Sequence, residues 1–424
     1  MRRGALVAGL LVAVAGCGNG QPSPGSTTSD ATSASSSAGS GSPTTSGSTS
    51  ASPSRTTTAA PPPTTSQQPT TTSAASCVDR AYNAMTSAQR VGQLFMTAVS
   101  STGMTTAQAQ AITAGRTGSV FLQGRTTQGT AAVKAVTAKV RALASPVRGV
   151  SLGMFVSTDQ EGGQVQVLNG PGFSTIPSAV TQGTRSAATL QSDAATWGRQ
   201  LASAGVNMNL APVADTVPAD QVAVNAPIGK LDREYGTDPS TVASHSTAFL
   251  RGMRQAGVVP SIKHFPGLGR SSGNTDFTAG VTDSVTTTDD AYLQPFRAGI
   301  QAGTPFVMVS SAIYTRIDPD HQAAFSSAVI RTLLRGKLGF KGAVISDDLG
   351  NAAAVADHTP AQRAVDFITA GGDVVLTVRP SDIAPMTSAV LSRMSASSSF
   401  RADVAASVRR VLTAKHNAGV LTCG

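Results

Sequence analysis

From residue 94 onward, short apolar or β-branched runs alternate with amphipathic stretches, and the alternation repeats until the chain is nearly spent. The runs cover residues 94–99, 119–122, 153–158, 206–210, 259–263, 306–309, 343–346 and 373–378. Runs this short, without strict apolar/polar alternation, suit strands buried on both faces. Between them, 128–143, 187–204, 239–255, 291–302 and 323–338 carry helical spacing, and a last helix is predicted near 402–416. Residues 105–114 are rich in Thr and Ala and only weakly patterned. Eight β-then-α units predict an α/β fold, a (β/α)8 TIM-type barrel over residues 77–424. A doubly wound open sheet uses the same alternation. The polar residues favour the barrel: Asp159, Asp215, Lys263-His264, Ser310-Ser311 and Asp347-Asp348 all fall at or just after the ends of strand runs. In a barrel those ends converge on one mouth.

The region before the barrel reads differently. Met1-Arg2-Arg3 and the apolar stretch 5–16 have the form of a secretory signal. The stretch is too short to span a bilayer, which takes roughly 20 apolar residues. It stops at Val14-Ala15-Gly16-Cys17, which resembles the lipobox of bacterial lipoproteins. Residues 1–17 are therefore expected to be a lipoprotein signal peptide with Cys17 as the lipidated residue; an ordinary signal with a chance cysteine is the plain alternative. Residues 18–76 are nearly all Ser, Thr, Ala, Pro and Gly, with only Asp30 and Arg55 charged. Such a segment cannot bury enough apolar surface to offset its ordering entropy and is expected to be a disordered tether, glycosylated or bare. The expected location is the outer face of the cytoplasmic membrane, with the membrane engaged through the lipid anchor.

Outside the cytoplasm the two other cysteines, Cys77 and Cys423, can oxidise. A disulfide joining the two ends of the barrel domain is expected, two free thiols being the alternative. The net charge of +9 is spread along the chain without a dense basic run or interleaved aromatics, so nucleic-acid binding is not indicated. The five histidines show no metal-ligand spacing with Cys or carboxylates. No metal or organic cofactor is implied, and a monomer is the favoured state.

Three segments could carry chemistry. Asp347 and Asp348 follow a buried strand run, where desolvation and neighbouring charges tune carboxylates. Glycosidic cleavage needs one group to trap an oxocarbenium-like centre and another to protonate the leaving oxygen. A strand-end aspartate suits the first role, and it equally suits a helix N-cap. Lys263 and His264 can donate hydrogen bonds to sugar hydroxyls. The polar loop Asn274-Thr275-Asp276 follows them, and a mobile loop there would close over a bound sugar.

Four strings carry a family resemblance: Asp159-Gln160-Glu161-Gly162-Gly163, Asn209-Leu210-Ala211-Pro212-Val213-Ala214-Asp215, Lys263-His264-Phe265-Pro266-Gly267 and Ser346-Asp347-Asp348-Leu349. In this order and spacing they resemble the bacterial β-N-acetylglucosaminidases of glycoside hydrolase family 3, across nearly all of the folded region. The resemblance implies a hydrolase with Asp347 as nucleophile and with Asp159, Lys263, His264 and Arg233 as ligands of the terminal sugar. It further implies exo-acting, retaining removal of terminal β-linked GlcNAc from cell-wall glycans, with a carbohydrate as partner.

The chain departs from the family pattern twice. Where the acid/base loop of the family reads Asp-Ser-His, this chain has Asn274-Thr275-Asp276. The arginines that usually follow the Asp159 motif are replaced by Gln164 and Val167. A carboxylic acid with a raised pKa can protonate a leaving oxygen, so Asp276 is the candidate acid/base. A decayed loop, leaving a glycan-binding envelope lipoprotein of impaired activity, is the alternative. A glycoside phosphorylase is a third reading, disfavoured because a second carboxylate in the mouth repels phosphate. Whether Trp197 or other aromatics help to hold sugar stays open at this level.

Overall fold

The computed structural model describes residues 74–423. Its centre is a ring of eight strands: β1 (Phe95–Ser100), β2 (Ser119–Gln123), β3 (Phe155–Thr158), β4 (Met208–Asn209), β5 (Val259–Phe265), β6 (Phe306–Val309), β7 (Ala343–Ser346) and β8 (Val375–Thr377). Each neighbour pair from β1–β2 through β6–β7 is parallel, as is β1–β8. The ring closes through a parallel bridge between Ile345 and Val374, where the Ser346 N–H donates to the Val374 carbonyl at 3.0 Å. The fold is thus a (β/α)8 barrel, and closure removes the open sheet from consideration. Cys17 and the 18–73 stretch of the tether lie outside the described residues.

The outer layer follows the strands in turn: α1 (Thr106–Gly115), α2 (Gly129–Arg141), α3 (Ala187–Ser203), α4 (Pro239–Gln255), α5 (Gln294–Gln301), the π-helical α6 (Ala328–Lys337), α7 (Pro360–Ala370) and α8 (Ile383–Ala396). Local chemistry sets their starts. Asp238 accepts from the Ser240 and Thr241 N–H groups ahead of α4, with Pro239 in the first turn. Thr105–Gln108 and Thr359–Gln362 form reciprocal capping boxes for α1 and α7. The weakly patterned 105–114 stretch is therefore a helix because its cap and its packing specify one. The predicted 291–302 helix is a 3-10 turn, Ala291–Leu293, running into α5, and 323–338 likewise begins with a 3-10 turn, Ala323–Phe325.

Two further helices, Ala74–Ala84 and Ser398–Asn417, pack together beside the ring. Tyr82 lies between the guanidinium groups of Arg90 and Arg409, at 4.1 and 3.9 Å from the ring centroid. A disulfide joins Cys77 to Cys423, and Leu421–Thr422 pairs antiparallel with Ser151–Leu152 just ahead of β3.

At the amino-terminal end of the barrel, Phe155 and Phe306 meet edge to face at 5.6 Å, and Lys415 closes the space beneath them. The buried Lys415 Nζ donates to Gln93 Oε1 at 2.7 Å, the Gly118 carbonyl at 2.7 Å and the Gly153 carbonyl at 2.9 Å. Three acceptors match the three N–H groups of an ammonium, but none is charged. Burial therefore dominates and pushes Lys415 down from 10.5 to about 7. Below about pH 7 the folded state carries a buried, uncompensated charge. Between about 7 and 10.5 the unfolded chain holds a proton that the folded one has released, so this residue's contribution makes stability rise with pH. The urea midpoint of the wild type should accordingly gain on that of Lys415→Met between pH 6.5 and pH 9. Parallel pH curves for the two proteins would contradict this.

Candidate active site

The strands end in loops that enclose a cavity of about 350 Å³ at the carboxyl-terminal face. Phe121, Leu210, Met308 and Leu376 supply its apolar lining, and Asp159, Arg233, Lys263, His264, Asp276 and Asp347 all border it. The six residues singled out in the sequence thus converge on one site from the ends of four strands and the loops that follow them. A larger cavity of about 730 Å³ lies at the opposite end; it is lined by Arg254, Lys341, Arg409 and Arg410 but by no carboxylate, so it lacks an acid pair.

One flank of the site is a buried ion network. Lys263 Nζ sits 2.6 Å from Asp159 Oδ1 and 2.6 Å from Glu161 Oε1. Glu161 also holds Arg233 in a two-pronged grip, Nε to Oε2 at 2.9 Å and Nη2 to Oε1 at 2.8 Å, while Arg233 Nη1 donates to the Pro227 carbonyl at 2.8 Å. Burial raises the Glu161 carboxyl, but Arg233 and Lys263 outweigh it and bring the group down to about 2. Burial lowers Lys263, and the charges of Asp159 and Glu161 overcome this and hold the ammonium above its ordinary value. Two fixed cations thus face the cavity with little freedom to rearrange. Glu161 lies two residues after Asp159 on the short strand Gln160–Gly162. Its place inside the quoted motif was the available signal for it, yet the sequence reading gave it no role.

Asp215 was also passed over as a site residue. This fully buried carboxylate accepts from the His264 N–H at 3.1 Å and the Leu268 N–H at 2.9 Å through Oδ1. Its Oδ2 lies 2.7 Å from His264 Nδ1. With Nδ1 committed to Asp215, the imidazole is fixed in orientation and its Nε2 is left to serve the cavity. The peptide bonds Lys263–His264 and Phe265–Pro266 are cis. Tyr314 Oη donates to the Gly267 carbonyl at 2.8 Å and holds this segment from behind.

Asp347 follows β7 directly, its N–H donating to the Val309 carbonyl at 2.9 Å. Its Oδ1 accepts from the Asp348 N–H at 2.8 Å, leaving Oδ2 without a protein donor. Asp348 is spent on the loop: Oδ1 accepts from Gly350 and Val378 N–H groups at 2.8 and 2.9 Å, and Oδ2 from Asn351 at 2.8 Å.

Asp276, which also borders the cavity, stands in an Asx turn, its N–H donating to Asn274 Oδ1 at 2.9 Å. The loop is bonded down rather than free: the Ala353 N–H donates to the Asp276 carbonyl at 3.1 Å and the Ala354 N–H to the Thr275 carbonyl at 3.0 Å. Both donors belong to the turn that follows Asp347 in sequence. Desolvation by the surrounding loops, and after it the charge of Asp347, push the Asp276 carboxyl up to about 6 against the pull of His264 and Arg233. The residue keeps an exposed face at the rim, so solvent screens part of this effect without reversing its direction. Asp283, another carboxylate of this region, is buried and bonded to Val285 N–H, Thr286 N–H and Thr286 Oγ1, away from the cavity. Ser310 is likewise committed elsewhere, 3.0 Å from Tyr314 Oη. Among the described residues no cluster of His, Cys, Asp and Glu has the makings of a metal site.

A paired carboxylate mouth flanked by fixed cations is the machinery of a glycosidase, and the glycosyl hydrolase family 3 N-terminal domain model matches residues 86–414. The chain belongs to glycosyl hydrolase family 3. It is 34% identical over 252 residues to the beta-hexosaminidase of Xylella fastidiosa (strain M23), a match covering 57% of this chain and 72% of that protein. Among solved structures it is similar to a beta-N-acetylhexosaminidase from Beutenbergia cavernae DSM 12333, with 50% identity and a TM-score of 0.77 over 78% of this chain and 99% of that one. LpqI of M tuberculosis is similar at 29% identity and a TM-score of 0.67, over 78% of this chain and 94% of its own. Family membership makes this protein a glycoside hydrolase.

Proposed function

We propose that this family 3 enzyme is an exo-acting, retaining β-N-acetylhexosaminidase that removes terminal β-linked GlcNAc from cell-wall glycans. The observation that carries the reading is that Asp347 and Asp276 border one small cavity together with Asp159, Arg233, Lys263 and His264. Asp159, Arg233, Lys263 and His264 grip the hydroxyls of the terminal ring in this cavity of about 350 Å³. Asp347, with Oδ2 unclaimed by protein donors, attacks the anomeric carbon. Asp276, with its carboxyl raised, protonates the glycosidic oxygen and afterwards takes a proton from the attacking water.

The similarity to proteins named as hexosaminidases supports the sugar, and a panel of aryl β-glycosides tests it. The N-acetylglucosaminide should be the best substrate, with chitobiose cleaved and with N-acetylated products accumulating only from non-reducing ends. Preference for a β-glucoside, or cleavage inside longer chains, would overturn the assignment. Wall glycan as natural substrate rests on the proposed outer-face location, which depends on Cys17. Cys17→Ser should release the chain from membranes; retention of that variant in the membrane fraction would remove the anchor from the proposal.

A further inference from the structure

We propose that Phe277 is the floor of an aglycone subsite that receives the apolar face of a second pyranose ring. The proposal rests on the hydrolase reading and deepens it. Phe277 is 82% exposed, and it is the one aromatic among the exposed large hydrophobic side chains of the described residues. A single exposed apolar side chain is ordinary in itself; its position is what assigns it. Phe277 borders the active-site cavity and follows Asp276 directly. The acid must reach the oxygen between the terminal sugar and its leaving group. The charged groups that hold the terminal sugar, Asp159, Arg233, Lys263 and His264, come from other loops and from the depth of the barrel. The residue next to the acid, at the rim, therefore lies on the leaving-group side.

Its backbone is fixed for this task. The Phe277 N–H donates to the Asn274 carbonyl at 3.2 Å, and the preceding residue is bonded to Ala353. A ring held open to water at little further entropic cost is suited to stacking against the C–H face of a sugar. Trp197, the larger aromatic, is unavailable, being buried against Phe249 with ring centroids 6.1 Å apart. Phe277 thus offers apolar surface to a leaving group that has a second ring.

The test is calorimetric titration of the Asp347→Asn protein with GlcNAc and with the β-1,4-linked GlcNAc disaccharide, alone and combined with Phe277→Ala or Phe277→Tyr. The second ring should tighten binding by roughly tenfold, the upper range for one aromatic stack. Phe277→Ala should erase that gain while Phe277→Tyr keeps it, and GlcNAc affinity should change less than twofold in either. Survival of the gain in Phe277→Ala, absence of any gain, or an equal loss for both sugars would each overturn the subsite. Turnover by the wild type judges the hydrolase reading separately, because a wild type inert towards every glycoside can still show the second-ring gain.

Discussion

Asp347→Asn is expected to lower kcat for an aryl β-N-acetylglucosaminide by at least about 10⁴-fold, because the first bond to the sugar can no longer form. The fold should survive the change. An asparagine keeps the oxygen that accepts the Asp348 N–H at 2.8 Å, and the backbone bond from residue 347 to Val309 does not involve the side chain. Weak sugar binding should persist, since Arg233, Lys263 and His264 are held by Glu161, Asp159 and Asp215 rather than by Asp347. Near-normal turnover would show that the nucleophile lies elsewhere. Asp348→Asn makes the contrast: three backbone N–H groups depend on that carboxylate. Its loss should appear mainly as a lower melting temperature, with a much smaller loss of kcat than Asp347→Asn in protein that remains folded.

Asp276→Ala should be harmful in proportion to how badly the leaving group needs a proton. Loss of a general acid commonly costs about 10² to 10⁴ in rate, and the full loss is expected with chitobiose. A dinitrophenyl glycoside leaves unaided, so its first step should survive and turnover should stall after a burst, with the glycosyl adduct visible on Asp347 by mass spectrometry. Azide needs no base and should restore turnover, yielding the β-configured glycosyl azide. The pH profile gives an independent reading. The acid must start protonated, so kcat/KM of the wild type for chitobiose should fall as pH rises through about 6, where the carboxyl is held. That limb should be missing in Asp276→Ala. Equal slowing of all substrates, no response to azide and an unchanged pH limb would together reduce Asp276 to a loop residue.

The barrel was legible in the sequence where burial is uniform. The β6 and β7 runs match the strands residue for residue, because four consecutive apolar or small residues buried on both faces leave no register to misread. The 206–210 run shrank to Met208–Asn209 as a regular strand, although its chain continues beside β5 through Ala211 and Pro212, whose carbonyls accept from Ser261 and Lys263 at 3.1 Å each. Helices α7 and α8 went unread. The first carried an available signal in Thr359-Pro360 and Gln362, whereas α8 has no side-chain cap and packs against α1, α7 and the carboxyl-terminal helix, which blurs its polar face. At the site, the residues that border the cavity could be named from motif and position. Glu161 and Asp215 could not be given their work in the same way, because a buried carboxylate that orients a neighbour differs from a structural one only in three dimensions. The expectation of a loop free to close over sugar also changed, since two backbone bonds already hold it.

Those two bonds have a bearing on how such a barrel can be altered. The donors at Ala353 and Ala354 follow β7 and Asp347, while the carbonyls they meet belong to Thr275 and Asp276. The loops that carry Asp276 and Asp347, the proposed catalytic carboxylates, are therefore cross-braced before any substrate arrives. Transplanting residues 270–283 alone into another barrel would carry Asp276 across but leave its brace behind. For engineering, residues 270–283 and 347–356 are one unit, to be moved together or not at all.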